Sequence, residues 1–411
     1  MPDMPWQRYS CHGCGACCRD FTVQLTAQDE QRLAAQGWRE RLGGDYAVEF
    51  RGARWLRQTP EGACVFLGEN GLCRVHAEFG LEAKPLACQF FPFMLSPGPR
   101  RAVIGVSFAC GSVAASRGAA LESHGAQVRA LSEQLPPSAP IPVRLKGRVV
   151  ATEEEERSVQ MALDAWLSRR GVSPATRWEG LAWIVTAMLR ARLDRTRGEG
   201  LRRLMTTLAG AVERELPLLE WPPPPPRAWK LLRQAVFARL EDPKIGELKA
   251  SGRVAAITSQ WSRSRRWAAG RGQSPATAAM PSVDFARFDD TDGVLAGADA
   301  AAMDDLLQRW MRSSVLGGRA WGSGLYGLPI DQGLGLVTVN VLSALWLARF
   351  HAAARGERAA TLQDLQHAVG RVDRASGRAA WLATAGERLR VSWFAHADAL
   401  RLLARALAAN S

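Results

Sequence analysis

Beyond residue 150 the chain repeats one pattern. Apolar residues recur three and four apart, in stretches closed by glycine or proline, which is the signature of amphipathic helices. The pattern predicts helices over about 153–170, 173–195, 200–219, 228–240, 245–261, 301–315, 334–354, 361–372 and 393–408. Thr152 is the expected cap of the first, and Glu153 to Glu156 favour the positive end of its dipole. Ser173-Pro174 opens the second, and Pro222 to Pro226 is a rigid stop. Residues 270–299 have no clear period and read as a loop or linker. The uncharged run Gln332 to Ala348 is short for a bilayer and carries Thr338, Asn340 and Ser343, so it predicts a buried helix.

Before residue 118 the pattern differs. Phe21 to Leu25 alternates as a short strand does, and Thr26 with Asp29 three residues on predicts a capped helix to about Gln36. One or two strands fit residues 46–56, and a strand and turn fit 64–71. A short helix over 73–79 ends at Gly80, Pro97-Gly98-Pro99 reads as a turn, and an apolar strand over 102–109 leads to Cys110. Four prolines between Pro136 and Pro142 mark a linker, drawn here over residues 119–150. The fold class that follows is α+β: a small domain over 1–118 with little regular structure, then a larger all-α region over 151–411.

Composition adds location and chemistry. The 411 residues are 47% hydrophobic and 23% charged, ordinary for a globular protein. Residues 1–10 contain no apolar stretch of signal-peptide type, so a cytoplasmic location is expected, with no transmembrane segment. The net charge is +13, of which +2 falls in residues 1–118 and +11 in the rest. Most of it is arginine, read as solvated surface. The segment from Trp261 to Trp267 mixes cations with aromatics as nucleic-acid faces do, but a helix end anchored by two tryptophans accounts for it, and nucleic acid is disfavoured as a partner.

The eight cysteines all fall in the first 110 residues: Cys11, Cys14, Cys17, Cys18, Cys64, Cys73, Cys88 and Cys110. In a reducing compartment such clustering points to metal or redox chemistry rather than disulfides. Cys11-x2-Cys14-x2-Cys17 has the spacing with which ferredoxins hold three corners of a [4Fe–4S] cluster. Gly13 and Gly15 permit the tight turn that points several sulfurs at one centre, and residues 11–18 exclude a regular helix on that count. Cys18 faces a second metal or a different iron, because adjacent cysteines chelate one ion only with strain. Cys73-x2-His76 places a thiol and an imidazole on one face of a helical turn, a zinc half-site that Cys64 could join. Cys88 precedes Phe90-Phe91-Pro92-Phe93, an aromatic wall that would keep a site dry. Eight thiolates and His76 suffice for one four-iron cluster with a second four-ligand site, or for two zinc sites. His12 reads as solvated.

These residues resemble the CxxCxxCC zinc- or iron-chelating family (YkgJ-type), to which flagellin lysine N-methylase is related. The resemblance runs through Cys11–Cys18, Val23-Gln24-Leu25-Thr26, Gly62-Ala63-Cys64-Val65-Phe66-Leu67 and Gly71-Leu72-Cys73-Arg74-Val75-His76. It continues through Pro85-Leu86-Ala87-Cys88-Gln89-Phe90-Phe91-Pro92-Phe93 and Ser107-Phe108-Ala109-Cys110. It covers residues 9–112 and implies a metal-chelating domain, with all eight cysteines as ligands. The methylase relatives imply transfer of a methyl group from S-adenosylmethionine to a protein lysine.

No nucleotide loop follows a convincing strand, and Gly333-x-Gly335 reads as helix packing. No catalytic residue is identified. Three functions stay open: a zinc or iron–sulfur binding or redox module, an S-adenosylmethionine-dependent methyltransferase acting on a protein substrate, and a structural zinc protein working through its basic helices. The cysteine-free helices predict a groove at the junction, walled by residues 88–93 on the metal side and by helices such as 173–195 or 334–354 on the other.

Overall fold

The computed structural model describes residues 4–98, 102–135, 141–219, 221–241, 253–277 and 280–409, with the side chains of 253–257 excepted. Four two-stranded antiparallel ribbons are present among them. Three lie in the first 120 residues: Arg8–Tyr9 with Ala119–Ala120, Ala47–Phe50 with Ala53–Leu56, and Phe93–Ser96 with Val103–Val106. The fourth pairs Arg144–Lys146 with Val149–Val150. Among the described residues after it the regular elements are helices, with only isolated bridges such as Gln273 with Asp284 and Gly322 with Leu328, so the α+β expectation stands.

The helical region is built around Ile330–Arg355, which is buried on every side. It is the one described helix long and apolar enough to cross a membrane, and its apolar window is 94% buried inside the protein. Its glycines are packing positions. A Cβ on Gly333 would stand 2.2 Å from the Ala320 carbonyl, and one on Gly335 2.2 Å from Val391. Around it pack Pro174–Arg190, Pro226–Leu240, Leu362–Ala375, Ala385–His396 and Ala399–Ala408. Glu153–Leu167 starts with a capping box: Glu155 N donates to Thr152 Oγ1 (3.2 Å) and Thr152 N to Glu155 Oε2 (2.9 Å).

Several expected boundaries change. Residues 393–408 are not one helix: the chain breaks at Asp398, whose φ of 55° lies in the left-handed region. Of the helix expected at 245–261, residues 253–261 fall in Arg253–Ala269, which continues past the expected end, and 245–252 lie outside the described residues. The stretch 270–299 is irregular but not an open linker, because Met280, Val283, Phe285, Phe288, Val294 and Leu295 are buried in the core. Residues 119–150 are not a linker either. Their described residues contain the short strands Ala119–Ala120, Arg144–Lys146 and Val149–Val150 and the helix Gly125–Ser132, and Leu121, Val128, Leu131 and Leu145 are buried. Of the four prolines only Pro142 is described, since 136–140 lie outside the described residues. Pro99 of the expected turn does too.

Of three buried clusters among the described residues two concern the cysteines; the third is the small group Ala375, Ala379 and Leu382. Leu25, Leu33, Trp38, Tyr46, Leu56, Phe66 and Val75 form a small cluster of their own. Leu86, Phe90, Phe93, Val106, Phe108 and Val113 belong to the large core shared with the helices. The cysteine-bearing region thus straddles the two.

Candidate metal centre

Cys11 and Cys14 are exposed on a loop that turns at Gly13 (φ 64°) and Gly15 (φ 66°). A Cβ on Gly15 would stand 2.4 Å from the Gly71 carbonyl, so only glycine lets this loop lie against the 68–72 turn. The next residues depart from the non-helical expectation. Ala16–Asp20 is a helical turn, and Cys17 and Cys18 ride on it. Cys64 N donates to Cys18 O (2.7 Å), which stitches the buried Cys64 beside that turn. The isolated bridge between Leu67 and Cys73 returns the chain, and Cys73 opens the helix Arg74–Phe79.

Two carboxylates set the remaining pair. Asp29, 1% exposed, completes the Thr26 capping box and also accepts from Leu86 N (2.8 Å), the first residue of the Cys88 helix Leu86–Phe90. Asp373 accepts from Ser107 Oγ (2.7 Å), Ala109 N (3.2 Å), Trp310 Nε1 (2.9 Å) and Arg319 Nη1 (2.9 Å), and so fixes the approach to Cys110. Burial alone would raise the Asp373 carboxyl, but the Arg319 guanidinium and these donors hold it below the usual carboxylate range.

The thiols converge in two overlapping groups. Cys18 is hydrogen-bonded to both Cys17 and Cys73. Its donated bonds lower Cys17 and Cys73 and raise Cys18 itself. Burial raises Cys64, to about 12, and Cys88. Lys84 sits among them, 8% exposed; burial would lower its ammonium, and the neighbouring Cys88, Cys73 and Cys17 raise it. The second group, Cys11, Cys14, Cys17 and Cys110, lines one cavity with Tyr9, whose hydroxyl is pushed up by burial and by the charge of these thiols. Cys17 belongs to both.

Two cavities meet at this cluster. One, of about 540 Å³, is lined by Cys17, Cys18, Cys64, Cys73, Cys88, Lys84 and Phe91 on one side. Its far side is Arg239, Glu241, Arg371, Arg374, Arg378 and Trp381. The other, of about 520 Å³, holds Cys11, Cys14, Cys17, Cys18, Cys73, Cys88 and Cys110, with His76 and His12 among its walls. The junction groove expected from sequence is therefore present, with Cys88 and Phe91 on its metal side. Its far wall comes from Pro226–Leu240 and Leu362–Ala375, not from 173–195 or 334–354. A larger cavity of about 950 Å³, between Trp6, Ser96, Pro97, Gly98, Ala102, Val103 and Glu153–Leu167, has no cysteine in its lining.

All eight predicted cysteines are thus brought together. His76 stays exposed on its helix, and His12 Nδ1 is 2.9 Å from Ser112 Oγ. Among the described residues no three His, Cys, Asp or Glu side chains are already set around one point as ligands. In donor type and number the cluster fits zinc or an iron–sulfur cluster, and the side chains would have to turn to converge on one ion. Lys84 was missed in the sequence, though it is the only lysine before Lys146 and stands four residues before Cys88.

Residues 10–112 match the CxxCxxCC family. Its description is "Putative zinc- or iron-chelating domain", and the match takes in every cysteine of the chain. An uncharacterised protein of Methanocaldococcus jannaschii is 33% identical over 103 residues, 23% of this chain and 34% of that protein. The chain spans about a third of the length of that curated relative. No solved structure matches. The match to the CxxCxxCC family model thus covers a quarter of the chain, and the helices that wall the first cavity lie outside it.

Proposed function

We propose that the protein is a zinc or iron–sulfur module whose centre meets a ligand or redox partner through the junction cavity. The observation that carries this reading is the shared wall: Cys17, Cys18, Cys73 and Cys88 line both cavities. A structural metal site is closed by its ligands and packed around, whereas this cluster has open space on two sides. Cys11, Cys14, Cys17, Cys18, Cys64, Cys73, Cys88 and Cys110 would hold the metal, with His76 at the rim. When bound, an iron–sulfur cluster would supply one-electron chemistry, and zinc would supply Lewis acidity. The chain's own contribution is placement: Asp29 and Asp373 fix the cysteine segments, Lys84 offsets thiolate charge, and Phe21 and Phe91 limit water.

Elemental analysis of anaerobically purified protein, with absorbance near about 400 nm, tests the reading. Stoichiometric iron with sulfide, or stoichiometric zinc, supports it; metal-free folded protein with eight free thiols overturns it. A second reading, methyl transfer from S-adenosylmethionine to a protein lysine, draws support from the same cavity, which leaves room for a cofactor beside the sulfurs. Calorimetric titration with S-adenosylmethionine separates the two.

A further inference from the structure

We propose that the cysteine-free cavity beside Glu153–Leu167 binds an organic cation, an ammonium group carried on an apolar body. Glu156 carries the argument. It is half-buried and lines this space of about 950 Å³. Its Oε1 accepts from Trp321 Nε1 (2.7 Å), a neutral donor, and among the described residues no cation is paired with either oxygen. Burial raises its carboxyl, Trp321 opposes that shift, and the charge of Glu153 adds to it. A carboxylate held partly out of water without a counter-charge is costly. A bound ammonium would supply both the charge and a charge-assisted hydrogen bond.

The other charges of the wall are engaged or lie at its rim. Asp164 accepts from Arg312 Nε at Oδ1 (2.7 Å) and from Arg312 Nη2 at Oδ2 (3.3 Å), and the same guanidinium lies over the Trp6 ring at 4.5 Å. Arg312 is thus tied to Asp164 and Trp6. Glu153 is exposed and already has a partner. Arg157 is exposed and forms no ion pair with Glu156. A hard divalent cation needs several oxygen ligands, and this wall leaves one carboxylate open. One carboxylate suits one ammonium. The body of the ligand would meet Val103, Val143, Leu316, the half-buried Trp6 and Met161, which is 55% exposed. The volume lies near the top of the range for small-molecule sites. No cysteine lines this cavity, so the inference does not rest on the metal centre.

The test is calorimetric titration of the full chain as purified, at neutral pH, with two probes of like shape. One is 2-phenylethylamine, which carries the ammonium, and the other is uncharged 2-phenylethanol. The amine is expected to saturate one site, at least about tenfold tighter than the alcohol, the scale of one charge-assisted hydrogen bond. In Glu156→Gln the amide oxygen can still accept from Trp321, and the amine's affinity falls to that of the alcohol. Equal binding of the two probes by the unaltered chain, no saturable site for the amine, or an unchanged amine affinity in Glu156→Gln overturns the inference. Should Glu156→Gln fail to fold, Met161→Lys at an exposed position of the same wall is read instead. Its added cation should weaken the amine by about threefold and leave the alcohol unchanged, and no loss overturns the inference.

Discussion

Two regions of this protein solve the folding problem differently. The helical region around Ile330–Arg355 buries a continuous core in which five aromatic side chains, Trp267, Phe285, Phe288, Trp346 and Phe350, pack together. The segment between Leu25 and Val75 owns a far smaller cluster, centred on Trp38 and Phe66. Its loops are set by glycine turns and single hydrogen bonds, such as that from Cys64 N to Cys18 O. Burial alone stabilises the first, whereas the second needs a ligand to add what its core lacks.

Metal removal should break the comparison most strongly. Structural thiolate sites contribute on the order of 10 kcal/mol to folding. A chelator under reducing conditions should therefore open residues 10–83 to protease while 86–131 and the helices persist, because the latter share the large core. Unchanged cleavage across 10–83 would remove the metal from the fold's support. Cys11→Ser, Cys14→Ser and Cys17→Ser should each lower metal content strongly, since serine is a poor ligand for such metals, and His124→Ala should leave it intact. Full metal occupancy in Cys14→Ser would take that thiol out of the ligand set.

Asp373→Ala comes next. It leaves Arg319, Trp310 and Ser107 with unmet buried donors, and a loss of about 3–5 kcal/mol is expected in denaturant unfolding. The same change should also lower metal content, because Asp373 fixes the segment leading to Cys110. A fall in stability with full metal would restrict its role to the helices.

The smallest effect is at Glu155. Arg197 and the Thr152 and Gly198 amides lower its carboxyl from 4.5 to about 2 against the opposing pull of burial. Its contribution is thus complete above about pH 4.5 and is lost as pH falls through about 2. Glu155→Gln should cost about 1 kcal/mol at pH 7 and flatten the acid limb between those values. The helical region alone should respond, with metal content unchanged at pH 7.

Sequence made visible what is decided within a few residues. The capping boxes at Thr26 and Thr152 are local contacts, and both form as read. The cysteines and the aromatic wall after Cys88 were legible because their chemistry is unusual in type. The rest depended on distant partners. The arginines that face the sulfurs sit nearly three hundred residues downstream in ordinary helical pattern, with nothing local to separate them from solvated surface. The prolines at 136–142 suggested a long linker because proline reports local stiffness and says nothing about what Leu121, Val128 and Leu145 bury against.

Uneven exposure of the sulfurs has a consequence for ageing of the molecule. Cys11 and Cys14 face solvent, Cys17, Cys18, Cys73, Cys88 and Cys110 are half-buried, and Cys64 is buried. Peroxide attack follows access and thiolate character, so damage enters by the loop and reaches the interior last. An oxidised molecule would lose its outer sulfurs first and keep Cys64 reduced longest. Injury then leaves a half-built centre on an intact helical body, a form that fresh reductant can restore as long as the loop has gone no further than sulfenic acid.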